Sequence, residues 1–147
     1  MSEVLRERVV SSFSLTPEQR AAALERERDI VVTAGAGSGK TRTLVARYAS
    51  LLADGLSPRA VVAVTFTEKA AREMRSRVRQ ALNDLLKQAI SDEERQRWIT
   101  VNSEMDAARI GTIHSLCAEI LRAHPAEAEI DPKFDVLDEG ITAVLRA

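Results

Sequence analysis

The chain has 147 residues and a formal charge of -1 at pH 7, from 21 Lys and Arg against 22 Asp and Glu. That length is one ordinary domain, and the balanced charge leaves any nucleic-acid contact to a local cationic patch. A single cysteine excludes an internal disulfide and a zinc site built on cysteine pairs, which fits a reducing compartment and makes the cytoplasm the expected location. The first residues carry charges where a signal peptide needs an apolar run, and no apolar stretch reaches about 18 residues, so membrane insertion is not expected.

Thr16-Pro17-Glu18-Gln19 sets an N-cap hydroxyl ahead of a proline at the first helical position, with Gln three residues after the Thr. This predicts a helix to about Arg26. Ile30 to Thr33 is β-branched throughout and predicts a strand, which ends at Ala34-Gly35-Ala36-Gly37-Ser38-Gly39-Lys40-Thr41. The helix after it is marked by Leu44, Val45, Tyr48, Leu51 and Leu52 at helical spacing, with Gly55 in the C-cap position. Val61 to Phe66 reads as a second strand, buried on both faces of a parallel sheet.

A long helix follows, with Ala71, Met74, Val78, Leu82 and Leu85 as its apolar stripe. Its cations, Lys69, Arg72, Arg75, Arg77 and Arg79, read first as a solvated face; Arg72, Arg75 and Arg79 also have a minor DNA-backbone role open to them. Ser91-Asp92-Glu93-Glu94 reads as a second capping box, opening a helix with Trp98, Val101 and Met105 inward. A short strand near Arg109 to Ile113 leads into a last helix ending near His124-Pro125. Its stripe of Ile113, Leu116, Cys117, Ile120 and Leu121 is expected to face the core, with His114 at the edge. The element order points to an α/β fold with a parallel sheet and right-handed crossovers.

The run Ala34 to Thr41 fits the Walker A pattern except that Ala34 stands where the strict form has Gly. Gly35, Gly37 and Gly39 allow backbone angles that turn successive N–H groups, those of Ala36 and Ser38 among them, toward a phosphate at the helix N-terminus. Lys40 then reaches the β- and γ-phosphates of ATP, and Thr41 offers a hydroxyl to Mg²⁺. Gln19 has two readings: N3 of a capping box with Thr16, or an amide that pairs with both edge groups of adenine. His114, Cys117 and His124 lack the fourth ligand and spacing of a zinc site.

The segments FSLTPEQRAA, TAGAGSGKTRTL, VTFTEKAAREM and IGTIHSLCAEILR, in that order, resemble the N-terminal motor domain of UvrD/Rep-type superfamily 1 DNA helicases. The segment before Arg109 and the tail HPAEAEIDPKFDVLDEG look more like the AddA or RecB type of helicase-nuclease subunit. The resemblance implies a RecA-like P-loop fold in which Gln19 reads adenine, Lys40 and Thr41 hold phosphate and Mg²⁺, and Arg42 lies near the nucleotide. It further implies that Thr65, Phe66 and Thr67 (motif Ia) and Thr112, His114 and Ser115 (motif Ib) line a path for single-stranded DNA, with movement 3′ to 5′. Phe66 then stacks on a base; on the residues alone it reads equally as a core aromatic.

ATP hydrolysis needs carboxylates at the metal and the attacking water. Asp138-Glu139 is the one candidate pair, but Asp135 puts a charge inside the run before it and Gly140-Ile141 follows it, so Asp138 reads better as the N-cap of a helix through Leu145. The expectation is an incomplete motor domain with an extra helical insertion: 1–28 with the adenine-reading segment, 29–83 with the P-loop and motif Ia, 84–108 as the insertion, and 109–147 with motif Ib. Such a fragment would work with the remaining helicase domains of a parent chain and a nuclease-complex partner subunit. The alternative is a complete small P-loop ATP-binding regulator or adaptor acting with a partner.

Overall fold

The structure, a computed structural model, describes residues 2–33, 35 and 37–136. Asp138, Glu139 and Leu145 lie outside the described residues, as do Ala34 and Ala36 of the glycine-rich turn. The helices are α1 (Ser2–Ser11), α2 (Pro17–Leu24), α3 (Lys40–Ala53), α4 (Glu68–Lys87), α5 (Asp92–Ser103) and α6 (Ile113–Ala123), and the strands are β1 (Val62–Thr65) and β2 (Arg109–Thr112). β1 and β2 pair in parallel with Val62 opposite Arg109 and Thr65 opposite Thr112. A parallel pair requires a crossover, here α4, α5 and a 3₁₀ turn over Glu104–Ala107. The chain is thus a mixed α/β unit with a small parallel sheet.

One core cluster runs from Val9 of α1 through Val45, Tyr48 and Leu52 of α3, Met74, Val78 and Leu82 of α4 and Trp98 of α5 to Ile110 of β2. The α4 stripe expected from the sequence, Ala71, Met74, Val78, Leu82 and Leu85, is buried as a set. α3 ends in a Schellman motif: Gly55 stands at φ +106, Leu56 N–H donates to Leu51 O at 3.3 Å and Gly55 N–H to Leu52 O at 3.1 Å. Arg97 from α5 donates to the Leu52 and Ala53 carbonyls at 2.7 Å each, so a cation also sits at the negative end of the α3 dipole.

Four expectations are corrected. Ile30 to Thr33 forms no strand: the segment has no strand assignment and Val31 is 90% exposed. Its residue types favour a strand, but none of the described residues runs alongside to supply ladder partners. β1 is buried on one face only, Ala63 inward and Val62 and Val64 exposed, because α4 covers a single side and the pleat alternates. On α6 only Ala118 is buried; Ile113, Ile120 and Leu121 are exposed, as is Cys117, since nothing among the described residues lies over that stripe. α1 was not expected at all, yet it places Val9 and Val10 in the interior.

The second capping box is a further correction, because it closes on one side only. Ser91 Oγ accepts from Glu94 N–H at 3.1 Å, but Glu94 turns its carboxylate to the Ile90 N–H at 3.1 Å, the Arg8 guanidinium at 2.9 Å and the Trp98 indole N–H at 3.3 Å. Burial pushes the Glu94 carboxyl up, and Arg8, the Ile90 N–H and Trp98 together outweigh it and hold it below the usual range. A carboxyl held low in the folded state contributes stability that is present above its ordinary pKa and lost as pH falls through the folded value. Glu94→Gln is therefore expected to lower stability at neutral pH by about 1–3 kcal/mol. The gap between denaturant midpoints of variant and parent should close as the solution is acidified.

Candidate nucleotide and nucleic-acid sites

The glycine-rich turn enters α3 at Lys40, with Gly39 as N-cap at φ +87 and Gly37 at φ +76. Both angles lie where an L side chain is strained. A Cβ added at Gly35 or Gly37 would meet nothing within 4 Å, so open space lies beside the turn at both positions. The turn closes through one acceptor: Gly35 O receives Ser38 Oγ–H at 2.6 Å, Ser38 N–H at 3.4 Å and Lys40 Nζ–H at 3.2 Å. Thr41 is exposed on the first helical turn.

α2 holds Gln19 against this turn. Thr16 and Gln19 form the reciprocal capping box, Gln19 N–H to Thr16 Oγ1 at 3.3 Å and Thr16 N–H to Gln19 Oε1 at 3.0 Å. The amide then has its nitrogen left over, and Nε2–H donates to Ser38 O at 2.7 Å. A Cβ at Gly39 would come within 3.0 Å of that nitrogen. One amide therefore caps α2 and ties it to the phosphate turn, a double use that sequence spacing cannot reveal.

The far end of α2 is anchored by arginines. Arg47 donates to the Ala22 and Glu25 carbonyls at 2.7 Å each, and Arg26 reaches Ala23 O at 3.0 Å and Asp54 at 2.9 Å. These cations satisfy the last carbonyls of α2 and complement its dipole. Arg42, expected near a nucleotide, donates to Ser14 O at 2.8 Å and fastens the loop before α2 to α3. Between α2, the 30–33 segment and Lys40 lies a cleft of about 420 Å³, lined by Gln19, Ser38, Lys40 and Thr43 among others. On its rim the Glu27 N–H and the Arg28 guanidinium hold the Glu25 carboxyl down at about 2.

The turn, the helix N-terminus and Lys40 fit a triphosphate, and Thr41 fits a hard divalent ion that takes oxygen ligands. Bound there, Mg²⁺ would neutralise phosphate charge.

At the carboxyl ends of the two strands a second set of residues converges. Thr65 ends β1, with Oγ1–H donating to Thr67 O at 3.0 Å, and Thr67 caps α4 by accepting from Ala70 N–H at 3.1 Å. Thr112 ends β2 and caps α6, accepting from Ser115 N–H at 3.2 Å. Phe66, between Thr65 and the α4 cap Thr67, is 98% exposed. The core-aromatic alternative for Phe66 is thereby removed. His114 is also exposed.

Three arginines of α4 have partners within the chain: Arg75 donates to Ile110 O at 2.7 Å, Arg77 pairs with Glu73 at 2.6 Å and Arg79 with Asp106 at 2.5 Å. A DNA-backbone role for Arg75 and Arg79 loses its support. No cluster of three or more His, Cys, Asp or Glu able to hold a metal occurs among the described residues, and none of their helices is long and apolar enough to cross a membrane.

A model of the UvrD/REP helicase N-terminal domain family matches residues 15–145. The chain is 38% identical over 93% of its length to the AddA-type protein of an ATP-dependent helicase/nuclease from Ligilactobacillus salivarius. Against the proteins of that name from Desulforudis audaxviator and Natranaerobius thermophilus it is 41% identical over 93% and 40% identical over 89% of its length. It covers 11%, 11% and 10% of these three relatives, so it spans about a tenth of each. With a match over nearly all of its described residues, the chain belongs to the UvrD/REP helicase N-terminal domain family.

Proposed function

We propose that this chain is the N-terminal part of an ATP-dependent single-stranded DNA translocase or helicase of the AddA helicase/nuclease type. In this reading it binds ATP with Mg²⁺ through residues 34–42 and Gln19, and contacts DNA through Thr65, Phe66, Thr67, Thr112 and His114. Movement is 3′ to 5′, as the family resemblance implies. The rest of the motor and a nuclease-complex partner belong to the same proposal, with action on DNA in the cytoplasm.

One observation carries the reading: a glycine-rich turn gripped by Gln19 and a fully exposed aromatic next to the α4 cap occur in one small domain. Phe66, in water at the carboxyl end of a parallel strand, has no packing role among the described residues. Base stacking gives it one, worth roughly 1–3 kcal/mol per base and indifferent to sequence.

Phe66→Ala tests this directly. Single-stranded DNA affinity, read by anisotropy of a labelled dT oligonucleotide, should drop by about 5- to 150-fold. The melting temperature should stay unchanged, since an exposed side chain takes no packing with it. Equal affinity in both proteins would remove the DNA reading. The adaptor alternative is separated by turnover: Lys40-dependent ATP hydrolysis by the chain alone would assign the catalytic carboxylates to Asp138 and Glu139.

A further inference from the structure

Glu68 is the first residue of α4, where an acid is ordinarily explained by the helix dipole alone. Its carboxylate, however, reaches across to the start of α6. Oε1 lies 3.2 Å from Thr112 Oγ1 and 3.1 Å from Ser115 Oγ, and those two hydroxyls are 2.8 Å apart. Thr112 Oγ1 already accepts the Ser115 N–H as the α6 cap. Two hydroxyls own two protons, so two of the three contacts are hydrogen bonds at any moment, and at least one of them ends on the Glu68 carboxylate. Without an acceptor at position 68 one of the two hydroxyl protons loses its partner in this group.

The strand ladder ends at the Thr65–Thr112 pair. Beyond it, the turn carrying Phe66 and the α6 N-terminus carrying His114 are joined across the sheet by side chains, with Glu68 spanning 44 and 47 residues of sequence. We infer that Glu68 is a positioning residue: by binding Thr112 and Ser115 it sets the spacing between Phe66 and the α6 N-terminus, and so the shape of the single-stranded DNA path. The inference rests on the DNA reading above.

The sign of the charge separates this role from a merely electrostatic one. A carboxylate beside a polyanion lowers affinity, so removing it should strengthen DNA binding if charge is its whole effect. If Glu68 positions the path, Glu68→Ala weakens binding although a negative charge has gone. Glu68→Gln, which keeps an acceptor oxygen, binds at least as tightly as the parent.

The experiment titrates a labelled dT oligonucleotide with the chain and with Glu68→Ala, Glu68→Gln, Ser115→Ala and the Glu68→Ala/Ser115→Ala double variant, at one salt concentration. Glu68→Ala should bind about tenfold more weakly, and the double variant no more weakly than Glu68→Ala. Without DNA, the Ser115 amide should exchange faster in Glu68→Ala than in the parent or Glu68→Gln. Should Glu68→Ala fail to fold, Ser115→Ala carries the same test through its own loss of affinity, and parent-like binding by it overturns the inference. Alanine and glutamine variants that behave alike, in either direction, or additive losses in the double variant, overturn the inference and leave the DNA reading standing. A parent chain that does not bind dT at all overturns the DNA reading, and the inference with it.

Discussion

Lys40→Ala is expected to lower nucleotide affinity by about a hundredfold, the loss of charge-assisted hydrogen bonds that together amount to roughly 3 kcal/mol. Lys40 stands at the first position of α3, exposed, with Nζ 3.2 Å from Gly35 O. Bonds from an ammonium to phosphate oxygens are stronger than its bond to a neutral carbonyl, so bound nucleotide favours the exchange of one for the other. The remaining backbone N–H groups of the turn still attract an anion, which leaves weak residual binding. An exposed helical Lys→Ala change leaves the denaturant midpoint nearly where it was. Titration with a fluorescent ATP analogue, beside a denaturation curve, reads both quantities. Parent-like affinity would mean that the turn is a structural connection and not a nucleotide site.

Trp98→Ala should have the largest effect on stability, a loss of about 3–5 kcal/mol. Trp98 is fully buried on α5, in the cluster that also holds Leu52 of α3, Leu82 of α4 and Met105. Its removal opens a cavity where several elements meet and takes the indole N–H from Glu94. Against the roughly 5–15 kcal/mol by which domains are ordinarily stable, that is a large share. Urea denaturation should show a lower midpoint, with Trp98→Phe falling between parent and Ala variant because most of the ring volume is kept. An unchanged midpoint would mean that α5 docks on α4 without stabilising the fold.

The parts of this molecule legible in its sequence are those where one local signal decides the outcome. Thr16-Pro17-Glu18-Gln19 gave the capping box, Gly55 the end of α3, and the α4 stripe its buried face. The Gly37 and Gly39 angles follow from the glycine-rich turn in the same way. What failed depended on neighbours. Ile30 to Thr33 and the α6 stripe have strand and core composition, yet a strand needs a partner and a stripe needs a covering surface, and residue types supply neither.

Glu94 was read as a capping residue, but Arg8, 86 positions away, and Trp98 turned its carboxylate elsewhere. In the candidate sites, the chemistry-bearing types at Lys40, Thr41 and Phe66 were visible from the motifs. The shared use of the Gln19 amide and the reach of Glu68 to α6 were not, since each hydrogen bond joins segments distant in sequence.

The central claim is that one small domain carries a nucleotide site and a separate DNA path, and paired titrations test it most directly. The parent chain, Lys40→Ala and Phe66→Ala are each titrated with a fluorescent ATP analogue and with a labelled dT oligonucleotide. The expected result is a double dissociation: Lys40→Ala loses nucleotide and keeps DNA, and Phe66→Ala loses DNA and keeps nucleotide. A parent chain that binds neither, or two variants indistinguishable from the parent for both ligands, would contradict the account.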